Sequence, residues 1–381
     1  MESCTVLGEK VVQEILTSLS RDEIHEFLNT VATSLLQFST SDERSFQPEP
    51  AVVTRPNGVK TLFRAFTSPE YVGTKIIVDP SLSSIQTASS RDGTTNANKP
   101  SLHGLLILCD KDGLPRGIIN ADEITAYRTS LSVMIPFVWR EKAAQIVVFG
   151  AGKQALWHIR LALALRGDEI EQITIVNRSA ERSRSLISQI KEENHSRWKS
   201  SAQLDALEFT NAEFQTRLEG VLVTADVVFC TTPSGSPLFP ARYLRRQVSE
   251  ISGCYVSSIG SWQPNMIELD PELLQDAVTS SSGYNPRGGA GGSVIVDDRE
   301  VAQTSCGEII QSNLKAEKLV EVGEIMNLKD YHSNNEPLKK WLGKGLVIYK
   351  SVGVSITDLA ASMAILSLAS QRGKGLSVQD F

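Results

Sequence analysis

The stretch Gln145-Ile-Val-Val-Phe-Gly-Ala-Gly-Lys-Gln-Ala-Leu-Trp-His158 decides the fold. Ile146 to Phe149 is an apolar, β-branched run and reads as a buried parallel strand. It enters Gly150-Ala151-Gly152-x-x-Ala155, and a helical pattern begins at once. In this strand–turn–helix setting each small residue has a task. Gly150 permits the tight turn, Gly152 lets the backbone approach a pyrophosphate, and Ala155 lets the helix pack against the strand. The N-terminus of that helix offers backbone N–H groups and the positive end of its dipole to phosphates. Ala151 and Gln154 belong to the same turn. The fold class expected is α/β: a Rossmann doubly wound parallel sheet with a smaller α/β domain attached.

The next strand, Gln172-Ile-Thr-Ile-Val-Asn177, refines the ligand. A turn that binds NAD usually carries an Asp or Glu about here for the ribose 2′-hydroxyl. This chain has Asn177-Arg178-Ser179 and no carboxylate before Glu181. A guanidinium and a hydroxyl suit a 2′-phosphate. NADPH is therefore favoured over NADH. Farther on, Thr231 and Thr232 close another apolar strand, at the edge where the nicotinamide ribose of such a cofactor lies.

Working outward, 381 residues are enough for two domains with cores of their own. A formal net charge of -6 argues against nucleic acid or an anionic membrane surface as the main partner. No apolar run approaches a membrane span of about 20 residues. The first ten residues show no basic stretch leading into an apolar one, so no secretory signal is read there. The five cysteines are scattered, without CxxC or Cys/His spacing, and the five histidines form no metal pattern. A cytoplasmic, disulfide-free protein without a metal is expected.

Upstream of the fingerprint, Ser20-Arg-Asp-Glu23 is a capping box opening a helix to about Phe38. Strand patterns follow at 51–55, 61–66, 71–78, 102–109 and 117–120, with hairpin-like spacing, interrupted by a polar Ser81–Ser101 loop. A helix from about Asp122 to Trp139 leads into the fingerprint strand. From about 143 to 329 strands and helices alternate. Ser280–Ser293 is glycine-rich and reads as a flexible insertion in which Arg287 is the only phosphate candidate. Ser355-Ile-Thr-Asp358 reads as a second capping box, with Asp358 in a capping role. His158, one turn into the cofactor helix, reads as a structural residue. The expected division is 1–135 plus 345–381 as a substrate-binding and dimerisation domain, and 136–344 as the dinucleotide domain.

Taken in order, several segments resemble the ornithine cyclodeaminase/mu-crystallin family over about residues 50 to 370. They are Gly73-Thr-Lys75, Leu108-Cys-Asp-Lys-Asp-Gly-Leu-Pro115, Ile124-Thr-Ala-Tyr-Arg-Thr129, the fingerprint, Thr231-Thr-Pro-Ser-Gly-Ser-Pro237, Glu321-Val-Gly-Glu324 and Tyr349-Lys-Ser-Val-Gly353 with Asp358. The resemblance implies a dimer whose first domain holds a small amino or imino acid, and whose C-terminal helix returns to that domain. It also implies that Arg55, Lys75 and Arg128 surround the substrate carboxylate and that Thr129 helps to hold the cofactor phosphates. Guanidinium groups grip carboxylates in bidentate fashion, so the chemistry agrees. A lysine beside two arginines should have a lowered pKa and can relay a proton.

One departure narrows the reaction. Family cyclodeaminases carry an Asp that deprotonates the substrate amine, and a Lys four residues on. Aligned on Pro264 and Glu268-Leu269, this chain has Trp262 and Met266 there. Trp cannot act as a base. Reduction of a ready-made imine needs none, and the mu-crystallin-like ketimine reductases also lack the Asp. The expectation is an NADPH-dependent reductase of a small α-imino acid of cyclic ketimine type, with Trp262 a candidate apolar wall of the substrate pocket. The alternatives are an NAD-using cyclodeaminase that releases ammonia from ornithine or lysine, and an NADPH-gated small-ligand binding protein.

Overall fold

A computed structural model describes residues 3–79, 103–209, 213–245, 253–280, 282–331 and 335–381. The Ser81–Ser101 loop expected from composition lies outside them. The described strands are β1 (Ser3–Leu7), β2 (Ala51–Thr54), β3 (Lys60–Thr67), β4 (Tyr71–Asp79), β5 (His103–Asp110), β6 (Pro115–Asn120), β7 (Gln145–Phe149), β8 (Gln172–Asn177), β9 (Gln203–Glu208), β10 (Val227–Cys230), β11 (Tyr255–Ser258), β12 (Val294–Val296), β13 (Leu319–Glu321), β14 (Val347–Lys350) and β15 (Leu376–Gln379). They form two sheets in two compact units. One unit comprises Met1–Ser34, Ser41–Arg128 and Ser355–Phe381; the other comprises Leu35–Thr40 and Thr129–Val354.

The first unit is built on a seven-stranded sheet of order β15-β1-β6-β5-β4-β3-β2. From β2 to β6 it is an antiparallel meander, as the hairpin spacing predicts. β1 joins β6 in parallel and takes β15 as an antiparallel edge. These two terminal strands, the helix Glu9–Thr17 and β9 were not expected from the sequence. Each strand is short, and only pairing stabilises it. Alternation gives the sheet two faces. On one, Phe66, Lys75, Leu106 and Leu108 are buried, and the helix Ser355–Gln371 lies against β3, β4 and β5. The capping box at the head of Arg21–Thr40 forms reciprocally: Ser20 N–H donates to Glu23 Oε2 (2.8 Å), and Glu23 N–H donates to Ser20 Oγ (3.2 Å).

The second unit holds an eight-stranded sheet, β13-β12-β14-β11-β10-β7-β8-β9, parallel throughout. Strands buried on both faces favour apolar residues; β7 and β10 are apolar for most of their length, while β11 and β14 end in the buried polar residues Ser257, Ser258 and Lys350. Val147, Phe149, Val228, Val256, Val294 and Ile348 share one core. Winding reverses between β7 and β10, the switch point beyond which ligands of such sheets bind.

The boundaries differ from those expected. The first break falls between Arg128 and Thr129, inside the helix Ala121–Phe137. β14 pairs with β11 and β12 in the parallel sheet, so residues 345–354 lie in the second unit rather than the first. The Leu346–Lys350 run is apolar because both of its faces are covered, and sequence pattern does not say by which sheet. Within the expected Ser280–Ser293 insertion, the described residues make fixed contacts: Ser293 Oγ donates to Tyr284 O (2.7 Å), and Arg287 pairs with Glu324 (2.7 Å). Arg287 is thus engaged by the Glu321-Val-Gly-Glu324 motif. None of the five cysteines is in a disulfide, and Cys230 is buried while Cys109 is half-buried.

Candidate functional site

In the first unit, Lys75 sits at the centre of β4, whose alternation turns it to the buried face; it is 1 % exposed. Its ammonium lies 2.6 Å from Asp358 Oδ2, and Arg128 Nε donates to Asp358 Oδ1 at 2.8 Å. Asp358 stands in the first turn of the helix Ser355–Gln371, which delivers it onto the sheet. The carboxylate expected to cap its own helix instead gathers two cations. Arg64 is a third cation, directly opposite Lys75 in the β3–β4 register.

Burial pushes the Lys75 pKa down to about 7; Asp358 works against this, while Arg128 and Arg64 reinforce it. The direction matches the sequence expectation, although desolvation and not the arginines is the largest cause. Asp358 is held below the usual carboxylate range: burial opposes this, but Arg128, Lys75 and Arg64 outweigh it. The cluster is therefore a fixed anion beneath a titratable lysine and two permanent cations.

Lys75 and Arg128 are brought together as expected, and Arg55 is not. Arg55 is exposed in the turn joining β2 and β3, where Gly58 N–H donates to its carbonyl (2.8 Å) and its own N–H donates to Val59 O (2.9 Å). β3 pairs Lys60 with Asp79 and Arg64 with Lys75. Arg55 lies beyond the Lys60 end, level with Val59, five residues along the strand from Lys75. That is about 16 Å of strand, more than an arginine side chain spans.

The dinucleotide-type turn in the second unit has the expected form. Gly150 has φ 113°, in the range that favours glycine, and its N–H donates to Val176 O (2.9 Å). A Cβ there would also lie 2.6 Å from Thr231 Oγ1. Thr231 itself donates to Phe149 O through N–H (3.0 Å) and Oγ1 (2.7 Å), joining the ends of β7 and β10 at the switch point. Gly152 differs: a Cβ would meet no atom within 4 Å. No packing demands glycine there, so the open space fits a ligand that approaches the backbone. Gly152 is also the N-cap of the helix Lys153–Arg166, and no side chain caps it. Ala155 is fully buried, as close strand–helix packing requires. These residues fit a pyrophosphate-bearing cofactor. At the end of β8, Asn177 donates to Ser179 O (2.9 Å), Ser179 Oγ caps the helix Ala180–Ser196 by accepting from Arg182 N–H (3.3 Å), and Arg178 is exposed. Thr129 is buried, and Gln154 Oε1 lies 3.5 Å from Ser130 Oγ.

A second buried charge cluster lies at the same sheet edge. Glu268 accepts from the N–H groups of Thr232 (2.6 Å) and Gly260 (2.7 Å), tying the segments after β10 and β11 together. Ser258 Oγ is 2.8 Å from Glu268 and 2.9 Å from Glu308; Ser261 Oγ donates to Glu308 (2.5 Å). Lys350 Nζ donates to Ser261 Oγ (2.8 Å) and lies 3.5 Å from Glu308 Oε1. Glu268, Glu308 and Lys350 are all completely buried. Sequence reading did not assign them; charges inside the apolar runs Ile267–Leu269 and Val347–Lys350 were the available signal. Trp262 follows this cluster and is 43 % exposed. His158 is buried, with Nδ1 2.7 Å from Gln154 O and 2.9 Å from Ser130 Oγ; desolvation lowers its pKa to about 4, so it is neutral and structural. Among the described residues, no helix is long and apolar enough to cross a membrane.

The fold and site define a two-unit α/β protein with a dinucleotide-type βα turn and a buried carboxylate–cation cluster. The chain belongs to the ornithine cyclodeaminase/mu-crystallin family, whose model matches residues 20–372. It is 25 % identical over 390 residues to an uncharacterised Saccharomyces cerevisiae protein, covering 96 % of this chain and 97 % of that one. It is 22 % identical over 284 residues to a Bacillus cereus Delta(1)-pyrroline-2-carboxylate reductase, covering 74 % and 75 %. The fold is also that of Thermococcus litoralis Delta(1)-pyrroline-2-carboxylate reductase, solved with NADH and L-proline: TM-score 0.70, 17 % identity, 98 % of this chain and 100 % of that one.

Proposed function

We propose that this protein is a nicotinamide-dependent reductase of a small α-imino acid, of cyclic ketimine type, with NADPH as the favoured cofactor. The observation that carries the reading is the buried Lys75–Asp358–Arg128 cluster, with its lysine near neutrality. A nicotinamide dinucleotide, when bound, would supply the hydride. The chain supplies the rest. Arg128 and Lys75 bind the substrate carboxylate, and Asp358 fixes both cations so that neither must reorganise. Burial lowers the Lys75 pKa to about 7, so it can hold a proton for the imine nitrogen and regain one from solvent. Gly150, Ala151, Gly152, Gln154, Ala155 and Thr129 bind the cofactor phosphates, Asn177, Arg178 and Ser179 its ribose phosphate, and Thr231 and Thr232 its nicotinamide half. Trp262, at the position of the cyclodeaminase base, offers a ring surface and no proton acceptor.

The reading extends to a homodimer. Val53, Phe63, Val72, Val78 and Leu105 lie on the face of the first sheet opposite Lys75 and are exposed. A contiguous apolar face of this kind suits a second copy.

The test is oxidation of NADPH and of NADH by the purified protein with five- and six-membered cyclic ketimine acids, beside Lys75→Met. Turnover that prefers NADPH and disappears in the variant is expected. Ammonia release from ornithine or lysine without imine reduction would replace this reading with a cyclodeaminase. Cofactor-dependent ligand binding without any turnover would replace it with a binding protein.

A further inference from the structure

We infer that Arg64, on β3, is the third cation of the carboxylate site and a determinant of substrate specificity, in the place that sequence resemblance gave to Arg55. The inference rests on the carboxylate reading above and goes beyond it by naming the residue that completes the clamp.

The register is the first argument. Arg64 and Lys75 are direct cross-strand partners. Directly opposed residues of an antiparallel pair project from the same face, with Cβ atoms about 4.5–5.5 Å apart. Lys75 is on the buried face, so Arg64 shares it. On either side along β3, Phe66 of the same face is fully buried opposite Gly73, and Phe63 of the other face is exposed. The alternation leaves no ambiguity about where Arg64 points.

The second argument is composition. Asp358 carries one negative charge and faces Lys75 and Arg128 in direct contact, with Arg64 near enough to act on both Asp358 and Lys75. A second guanidinium beside Lys75 adds a planar two-pronged donor, which an ammonium cannot supply.

The third argument is exclusion. Arg55 is an exposed turn residue about 16 Å of strand away. The chain therefore has an arginine at each of two places on this hairpin, and the register puts only Arg64 on the Lys75 level.

The experiment compares Arg64→Gln, Arg64→Lys and Arg55→Gln in the full chain with NADPH bound. Binding of pyrrole-2-carboxylate, a planar ring carboxylate, is measured by calorimetry against binding of its carboxamide. Arg64→Gln is expected to weaken the carboxylate about 10- to 100-fold, the worth of a charged hydrogen bond, and to leave the carboxamide unchanged. Arg64→Lys is expected to weaken it by less, and Arg55→Gln not at all. On any ketimine acid that is turned over, Arg64→Gln should raise KM more than it lowers kcat. Wild-type carboxylate affinity in Arg64→Gln, or its loss in Arg55→Gln instead, overturns the inference. So does an equal loss of carboxylate and carboxamide, which would mark a structural role. If Arg64→Gln fails to fold by circular dichroism, Arg64→Lys and Arg55→Gln decide. Wild-type protein that neither binds nor reduces any ring carboxylate refutes the carboxylate reading itself, and the inference with it. That outcome is seen before any variant is made.

Discussion

Two lysines, one in each unit, are equally buried and chemically opposite. Lys75 lies against one carboxylate and two guanidinium groups, and its pKa falls to about 7. Lys350 lies among Glu308, Glu268 and Asp297; burial alone would lower its pKa, but these carboxylates, with Cys306, raise it. Desolvation is common to both, so the sign of the neighbours makes the difference. Cationic neighbours, added to burial, leave a lysine able to exchange its proton near neutrality. An excess of carboxylates locks the proton on and makes the lysine a structural tie. Lys350 and Glu268 hold the segments after β10 and β11, while Lys75 is poised for chemistry.

The contrast is tested most directly at the lysines themselves. Lys75→Met should lower kcat for imine reduction by about 10³-fold, within the range of a lost acid–base group. At pH 7 it should change the urea-unfolding free energy by less than about 2 kcal/mol, because Arg128 and Arg64 still act on Asp358. A loss of stability as large as the loss of activity would erase the distinction. Lys350→Met should do the reverse and destabilise by about 3–5 kcal/mol, since Glu268 and Glu308 would remain buried without their cation. The measurement is the urea midpoint at unchanged slope.

Titration supplies a second comparison. The pKa of Lys75 is about 7 folded and 10.5 in the ordinary range. Between these values the unfolded chain binds the extra proton, so this group's contribution to stability rises with pH and is lost as pH falls through about 7. The difference in unfolding free energy between wild type and Lys75→Met should therefore slope upward by at most about 1.4 kcal/mol per pH unit from pH 7 to 10.5. Lys350, whose folded pKa is raised, should give no such rise on the same interval in a Lys350→Met comparison.

The smallest effects separate the two glycines of the fingerprint. Gly150→Ala meets a positive φ and Thr231 Oγ1, and should cost about 1–3 kcal/mol of stability. Gly152→Ala meets nothing in the protein, so its melting temperature should stay within a degree or two of wild type while NADPH affinity falls. Equal stability losses at both positions would remove the argument that Gly152 is kept for a ligand.

Much of this is legible in the sequence. The fingerprint turn, the Asn177–Ser179 strand end, the capping box at Ser20 and the antiparallel meander are local patterns, set by residues within a few positions of one another. Arg55 was misplaced because an arginine in the right stretch of sequence is not thereby in the right register. A shift of a few residues along a hairpin moves a side chain by more than its own length. Asp358 looks from sequence like a helix cap for a related reason. Capping is a local interaction, whereas its partners Lys75 and Arg128 are hundreds of residues away, 230 in the case of Arg128. The Glu268–Glu308–Lys350 cluster escaped because three separate segments contribute one charge each.

The sequence by itself determined the α/β class, the dinucleotide-type turn and the family, because periodicity, glycine placement and motif order are properties of neighbouring residues. Only the tertiary structure decided which cation stands opposite Lys75, which carboxylate holds it, and which of two buried lysines can lose its proton. Those outcomes depend on strand register and on long-range burial, and the energy of a charge in a protein interior is set by whatever the fold places within a few ångströms of it.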